Sequence, residues 1–188
     1  MRKVSLAAGQ DAGVIQLESR WSDDDHLLIE AGFAARGTVI EGCTAPQGAG
    51  RRRARIDVHA APGAELKVIV LQALPPSVEN DAVITADGGR LIDVSLGGAP
   101  GSRRRFELGR HAELLAVARG EVEVRGGKSR IWRLPYEAPA GQVAFLRARG
   151  LGAREARRML LSGWLEPVMR ELPVEFAVEL ERLLDLDS

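Results

Sequence analysis

The hydrophobic pattern changes period near residue 140. From about Arg53 to Gly120, apolar and polar residues alternate in steps of two, in short runs (IDV, LKVIV, VIT, LIDV, FEL, LLAV) punctuated by glycine. Period two sends successive side chains to opposite faces, so these runs predict short strands. From Ala140 onward the period is helical. Ala156, Met159, Leu160, Gly163 and Trp164 fall on one stripe, with Arg154, Arg157, Arg158 and Glu166 opposite. Phe176, Leu180, Leu183 and Leu184 repeat the pattern after Pro173, a residue suited to a first helical turn.

The strand-rich part also repeats. RARIDVHAAPGAELKVIV, NDAVITADGGRLIDVSL and RRRFELGRHAELLAVA each read as strand, short turn, strand. With Val58, Val83 and Phe106 taken as equivalent, Leu66, Leu91 and Leu114 each follow eight residues later, at unit spacings of 25 and 23. Two strands per unit at that period predict a β-solenoid whose corners use Gly63, Gly88, Gly89 and Gly109. HLLIEAGFAARGTVIEG and VIQLESRW read as earlier, less regular coils, and GEVEVRGG as the last strand. An antiparallel sandwich of hairpins is the alternative at this spacing. The expected division is a β-helix core at 1–126, a proline-containing connector at 127–141 and a helical subdomain at 142–188.

Composition narrows the function classes. Apolar content of 45% supports a sizeable core, and zero net charge gives no long-range attraction to nucleic acid or membrane. No apolar run approaches the roughly 20 residues needed to span a bilayer. The N-terminus lacks the apolar core of a signal peptide, which together with a single cysteine, Cys43, points to a reducing cytoplasm. One cysteine cannot hold an iron–sulfur cluster or a thiolate zinc site alone.

The tail carries a family resemblance. Phe145, Leu146, Arg147, Arg149, Gly150 and Leu151, then Glu155, Ala156 and Arg157, then Leu160, Leu161, Gly163 and Trp164 resemble the C-terminal motif of the SufB/SufD family of iron–sulfur cluster assembly proteins. VENDAVITADGGRLIDVSL also looks like that family's coils. The resemblance implies a right-handed parallel β-helix followed by a helical subdomain. It also implies a non-catalytic assembly role in which the C-terminal helices dock SufC, an ABC-type ATPase. The implied docking residues are Arg147, Arg149, Gly150, Glu155, Ala156, Arg157, Leu160, Gly163 and Trp164. A second implied partner is a SufB/SufD-like paralogue, or another copy, met through the β-helix edges. Family members are much longer, and many carry a histidine shortly before the motif. Counting back from Phe145 places that position at Ile131, and no histidine follows His111. No catalytic residue is therefore assigned, and the chain is expected to bind no cofactor alone. An iron–sulfur cluster would be transient and shared with a partner.

The remaining chemistry has bland readings. Cys43 could accept sulfur, but a lone cysteine usually packs as a small hydrophobe. His59 and His111 fall on one edge two coils apart, as solvent-exposed corner residues. His26, after Asp23, Asp24 and Asp25, reads as part of an acidic loop. The triplets Arg51–Arg53 and Arg103–Arg105 end polar loops and read as solvated charge; with 4% aromatics they make no stacking surface for single strands. No phosphate-binding loop, GxSxG or HExxH occurs. Besides assembly, the repeat permits a structural module that has lost that role, or a β-helix carbohydrate-active enzyme.

Overall fold

The computed structural model describes residues 1–19, 24–45 and 50–186 of the chain, which divides into two compact units, Met1–Leu134 and Pro135–Ser188. In the first unit, Val/Ile/Leu-rich runs form β1 (Arg2–Leu6), β2 (Asp11–Ser19), β3 (Asp24–Ala31), β4 (Arg36–Thr44), β5 (Arg51–Ala60), β6 (Glu65–Ala73), β7 (Glu79–Ser95), β8 (Arg103–Ala118) and β9 (Glu121–Arg133). Every described strand pair is parallel, which rules out the hairpin sandwich.

Two columns of strands build the unit. β1, β3, β5 and the first halves of β7, β8 and β9 stack in one; β2, β4, β6 and the second halves stack in the other. Each turn of chain therefore contributes one strand to each column, and successive turns lie directly on one another. This is a parallel β-helix.

Its interior is made of vertical rows. Leu27, Ile56, Ile84 and Phe106 align in the first column, and Val39, Val68, Leu91 and Leu114 in the second; all belong to one buried cluster. The second column also buries its other face, with Ile40, Ile69, Ile92 and Leu115. Burial on both faces explains why LKVIV, LIDV and LLAV are continuous apolar runs instead of alternating ones.

The rows correct the repeat alignment. Ile56, Ile84 and Phe106 are the true equivalents, and Leu91 lies above Val68, not Leu66. Leu91 and Leu114 do align, as the spacing predicts. Segments outside the rungs, such as 74–78 and 96–102, absorb residues without disturbing the stack, so counting along the chain drifts off register.

At the corners, backbone bonds continue the ladder between rungs. The Gly32 N–H donates to the Leu6 carbonyl at 2.9 Å, and the Ala61 N–H to the Ala31 carbonyl at 2.9 Å. In later rungs the corner tightens until the chain stays in strand through it. There Gly126 has φ +74, a left-handed value that favours glycine, and an added Cβ would overlap the Leu108 carbonyl oxygen.

The last strand runs further than the sequence suggests. Lys128–Arg133, expected in the connector, pair with Glu113–Ala118 as the second half of β9. The boundary between units accordingly falls after Leu134. Gly126 and Gly127, which close the last strand in the sequence pattern, form only the corner of that rung.

The interior is not wholly apolar. Where one coil ends and the next begins, polar side chains point inward as two networks. In the first, Arg2 bridges Asp25 (2.6 Å) and Glu41 (2.8 Å), and Arg52 reaches Asp25 at 3.0 Å. In the second, Arg104 forms a bidentate pair with Asp93 and donates to Gln72 Oε1 at 2.7 Å, which also accepts from Asn80 Nδ2 at 2.9 Å. Arg52, Arg104 and Asp93 are almost completely buried. The arginine triplets are thus strand starts, not solvated loops. The middle arginine of each turns inward because strand alternation gives it the opposite face from its neighbours. Outward, Arg51 meets Asp81 at 2.6 Å, Arg103 meets Glu121 at 2.9 Å and Arg105 meets Glu123 at 3.2 Å.

The second unit has three helices: α1 (Ala140–Arg147), α2 (Ala153–Met169) and α3 (Val174–Leu186), with α1 in contact with α2 and α2 with α3. Among the described residues no helix is long and apolar enough to cross a membrane.

Candidate partner-docking site

The helical unit places the motif residues around one turn. α1 ends in a glycine cap: the Gly150 N–H donates to the Arg147 carbonyl (3.0 Å) and the Leu151 N–H to the Leu146 carbonyl (3.3 Å). Gly150 has φ +96, the left-handed conformation this cap requires. The chain then reverses through Gly152 into α2. Gly150 is therefore a structural member of the set, and it determines where Arg147 and Arg149 emerge.

Arg147, Arg149, Glu155 and Arg157 are exposed, Leu160 is half-buried and Ala156 is fully buried. The Arg149 guanidinium lies over the Phe145 ring, 3.5 Å from its centroid, although Phe145 itself remains 55% exposed. Trp164 is half-buried and stacks on Tyr136, with ring centroids 4.5 Å apart and planes 25° from parallel. Tyr136 lies in the segment before α1 and carries no periodic signal. Only a search for aromatics within reach of Trp164 would have found it.

The apolar stripe of α2 is rotated from the expected one. Its buried residues are Ala156, Leu165 and Val168, whereas Met159 is 58% exposed and Gly163 is exposed too. Reading the stripe only as far as Trp164 leaves its phase open; the C-terminal turns containing Leu165 and Val168 set it. Pro167 lies inside α2 and has no N–H to pair with the Gly163 carbonyl. In α3, Leu180 is buried and Phe176 half-buried as the pattern predicts; the side chains of Leu183 and Leu184 lie outside the described residues.

The other candidate groups have settled partners. Cys43 is 2% exposed on β4, beside the Arg2–Asp25–Glu41–Arg52 network. Burial pushes its thiol above the usual value, with Arg52 pulling the other way. A thiol held neutral and out of reach is a poor nucleophile. Alkylation of Cys43 by iodoacetamide in the native protein is expected to be at least about a hundredfold slower than in denaturant. Equal rates would place the thiol at the surface.

His26 lies in strand β3, not in an acidic loop; Asp24 and Asp25 belong to the same strand, and Asp23 lies outside the described residues. The imidazole Nε2 pairs with Asp57 at 2.8 Å. Burial alone would raise the Asp57 carboxyl, but hydrogen bonds from Arg55 and His26 outweigh it and hold the group below its ordinary value. His59 Nδ1 contacts Asp87 at 2.9 Å, and His111 lies beside Gly88 on the adjacent rung, so both histidines occupy one exposed corner edge. Among the described residues no three His, Cys, Asp or Glu side chains gather as a metal site.

Ile131, the position matching the family histidine, is half-buried against the β-helix core, in register with Ala116. Its apolar side chain completes the last rung.

No protein-family model matches the chain. Among curated proteins, it is 47% identical over 45 residues to an iron–sulfur cluster assembly SufBD family protein of Mycobacterium leprae, covering 24% of this chain and 5% of that protein. It is 41% identical over 59 residues to the iron–sulfur cluster assembly protein SufB of Bacillus subtilis, covering 29% of this chain and 13% of that protein. A SufBD family protein of Pyrococcus horikoshii is 31% identical over 58 residues, covering 28% and 13%. The chain thus matches a small fraction of each relative's length. Over that fraction, this β-helix chain with its helical unit is similar to SufBD-family proteins of iron–sulfur cluster assembly.

Proposed function

We propose that the chain is a non-catalytic structural component of iron–sulfur cluster assembly that docks a SufC-like ABC ATPase through α1 and α2. The observation carrying this reading is the identity with SufBD-family proteins, 47% over 45 residues in one and 41% over 59 in another. The fold supports it: a parallel β-helix supplies a rigid body and a separate helical unit presents exposed arginines, Phe145 and a half-buried Trp164. Trp and Arg are the residue types that most often dominate interface energetics. The ATPase would supply the nucleotide chemistry and the cluster would be cargo shared with a partner.

A second β-helix, from a paralogue or another copy, would pair through the end strands. Among the described residues β9 pairs with β8 alone and β1 with β3 alone, so each leaves a backbone edge open there. Ile131 favours a second reading, a structural module that keeps the architecture without cluster chemistry, because it stands where a histidine would be needed.

Purification with the SufC-type ATPase of the same genome tests the first reading. Trp164→Ala is expected to weaken that complex about thirtyfold or more, the effect of an interface anchor of about 2 kcal/mol. Tyr136→Ala should weaken it less, since it removes only the stack that orients the indole, about 0.5–1.5 kcal/mol. Tyr136→Phe should bind as wild type. Unchanged affinity in Trp164→Ala would move the interface elsewhere.

A further inference from the structure

The outward side chains of the first column also fall into rows. His26, Arg55, Val83, Arg105 and Glu123 lie in register on the successive strands β3, β5, β7, β8 and β9. Two residues earlier on the middle strands, Arg53, Asp81 and Arg103 form a parallel row. Strand alternation puts both rows on the same outer face. Two cavities, of about 510 and about 460 Å³, open there, and Asp81 and Val83 line both, so the cavities meet over β7.

Val83 is the one apolar member of its row, and it is half-buried between two exposed arginines. Parallel strands stack about 4.8 Å apart, which sets the backbones of Arg55 and Arg105 about 9.6 Å from each other. Arg55 donates to Asp57 at 2.8 Å and Arg105 to Glu123 at 3.2 Å, each through Nε. Neither bond uses the Nη pair, the guanidinium fork that suits a carboxylate. Arg53, beside Arg55 on this face, makes no ion pair or hydrogen bond among the described residues. The carboxylates nearest the line are engaged: Asp81 with Arg51 at 2.6 Å, and Asp57 with His26 at 2.8 Å as well as Arg55.

We propose that the row Arg55–Val83–Arg105 binds an extended dicarboxylate, with one carboxylate on the Nη fork of each arginine and an apolar chain lying across Val83. A chain of about eight carbons spans the two-rung distance of about 9.6 Å. Singly charged ends suit guanidinium groups that already share one anionic partner. Six arginines and five carboxylates line the two cavities, too even a balance to hold a polyanion such as nucleic acid. No aromatic side chain is among the lining residues, so base stacking has no platform. The trough belongs to the β-helix unit and does not rest on the docking reading.

The test titrates the full chain, labelled at its valine methyls, with succinate, suberate and octanoate at constant ionic strength, followed by NMR. Suberate is expected to shift the Val83 methyls saturably. It should bind about tenfold more tightly than octanoate, which has one carboxylate, or succinate, which is too short to reach both arginines. Arg105→Gln should reduce suberate to the octanoate level; the pair it removes is exposed, so the fold is kept. Arg55→Gln should do the same. Arg36→Gln, which removes an exposed pair with Glu65 in the other column, should leave suberate binding unchanged. Equal affinities for suberate and octanoate, suberate binding that survives Arg105→Gln, or unmoved Val83 methyls would each overturn the proposal. Pyrophosphate bound more tightly than suberate would overturn it in favour of a phosphate site at Arg53 and Arg55.

Discussion

Arg104→Ala is expected to lower the unfolding free energy by about 3–5 kcal/mol at pH 7. Arg104 is 2% exposed and Asp93 is 0% exposed, so truncating the arginine strands a carboxylate inside the β-helix. Gln72 Oε1 keeps Asn80 as a donor, which confines most of the damage to Asp93. Burial already pushes the Asp93 carboxyl up, opposed by the charge and hydrogen bonds of Arg104. Removing that opposition raises it further.

The pH dependence then has a definite sign. A carboxyl raised in the folded state holds a proton that the unfolded chain has released, so stability falls as pH rises between the two values. The loss in Arg104→Ala should therefore be smallest below about pH 4, the unfolded value, and grow toward neutrality. Replacing both partners with leucine should recover most of the loss, because an apolar pair leaves no buried charge. Urea titrations at the two pH values, followed by circular dichroism of the sheet, measure each effect. A loss below about 1 kcal/mol at pH 7, as for an exposed pair, would contradict the burial.

Gly126→Ala should cost about 2–5 kcal/mol, for two additive reasons. A left-handed backbone costs a non-glycine residue about 1–2 kcal/mol, and forcing a methyl into a packed site about 1–3. Gly126 has φ +74, and its Cβ would collide with the Leu108 carbonyl of the rung below, which belongs to the ladder and cannot move alone. The same change at Gly42, in strand β4 with nothing within 4 Å of a Cβ, should be neutral or stabilise by about 0.5–1 kcal/mol. Equal urea midpoints for the two variants would mean that the corner relaxes freely.

The two networks of buried charge bear on what the β-helix can tolerate. They sit at the edge where the chain leaves one rung and enters the next, beside segments of variable length. Apolar rows elsewhere would accept any rung register that keeps the alternation. Pairs such as Arg104–Asp93 are satisfied in one register only, a specifying role that buried polar groups have in other repeating structures.

The helical tail shows how far a motif carries. Its glycine, arginines and tryptophan are recognisable as a string, and the glycine cap explains the LRARG spacing physically. The string says nothing of Tyr136, 28 residues before Trp164. It also misplaces the buried face, because Met159 and Leu165 compete for the stripe until the whole helix is seen.

What the sequence determined by itself was local. Period two with glycine punctuation specified short strands in a repeat, and a helical period specified the tail from Ala140 onward. These signals are legible because side-chain direction follows from backbone period alone. Tertiary structure decided which charges go inside. Arg52 and Arg104 read as solvated because a lone guanidinium is excluded from a core. They are admitted only because stacking brings Asp25 and Asp93 to them from elsewhere in the coil. That pairing depends on rung register, and register is set between rungs, beyond the reach of any pattern along the chain.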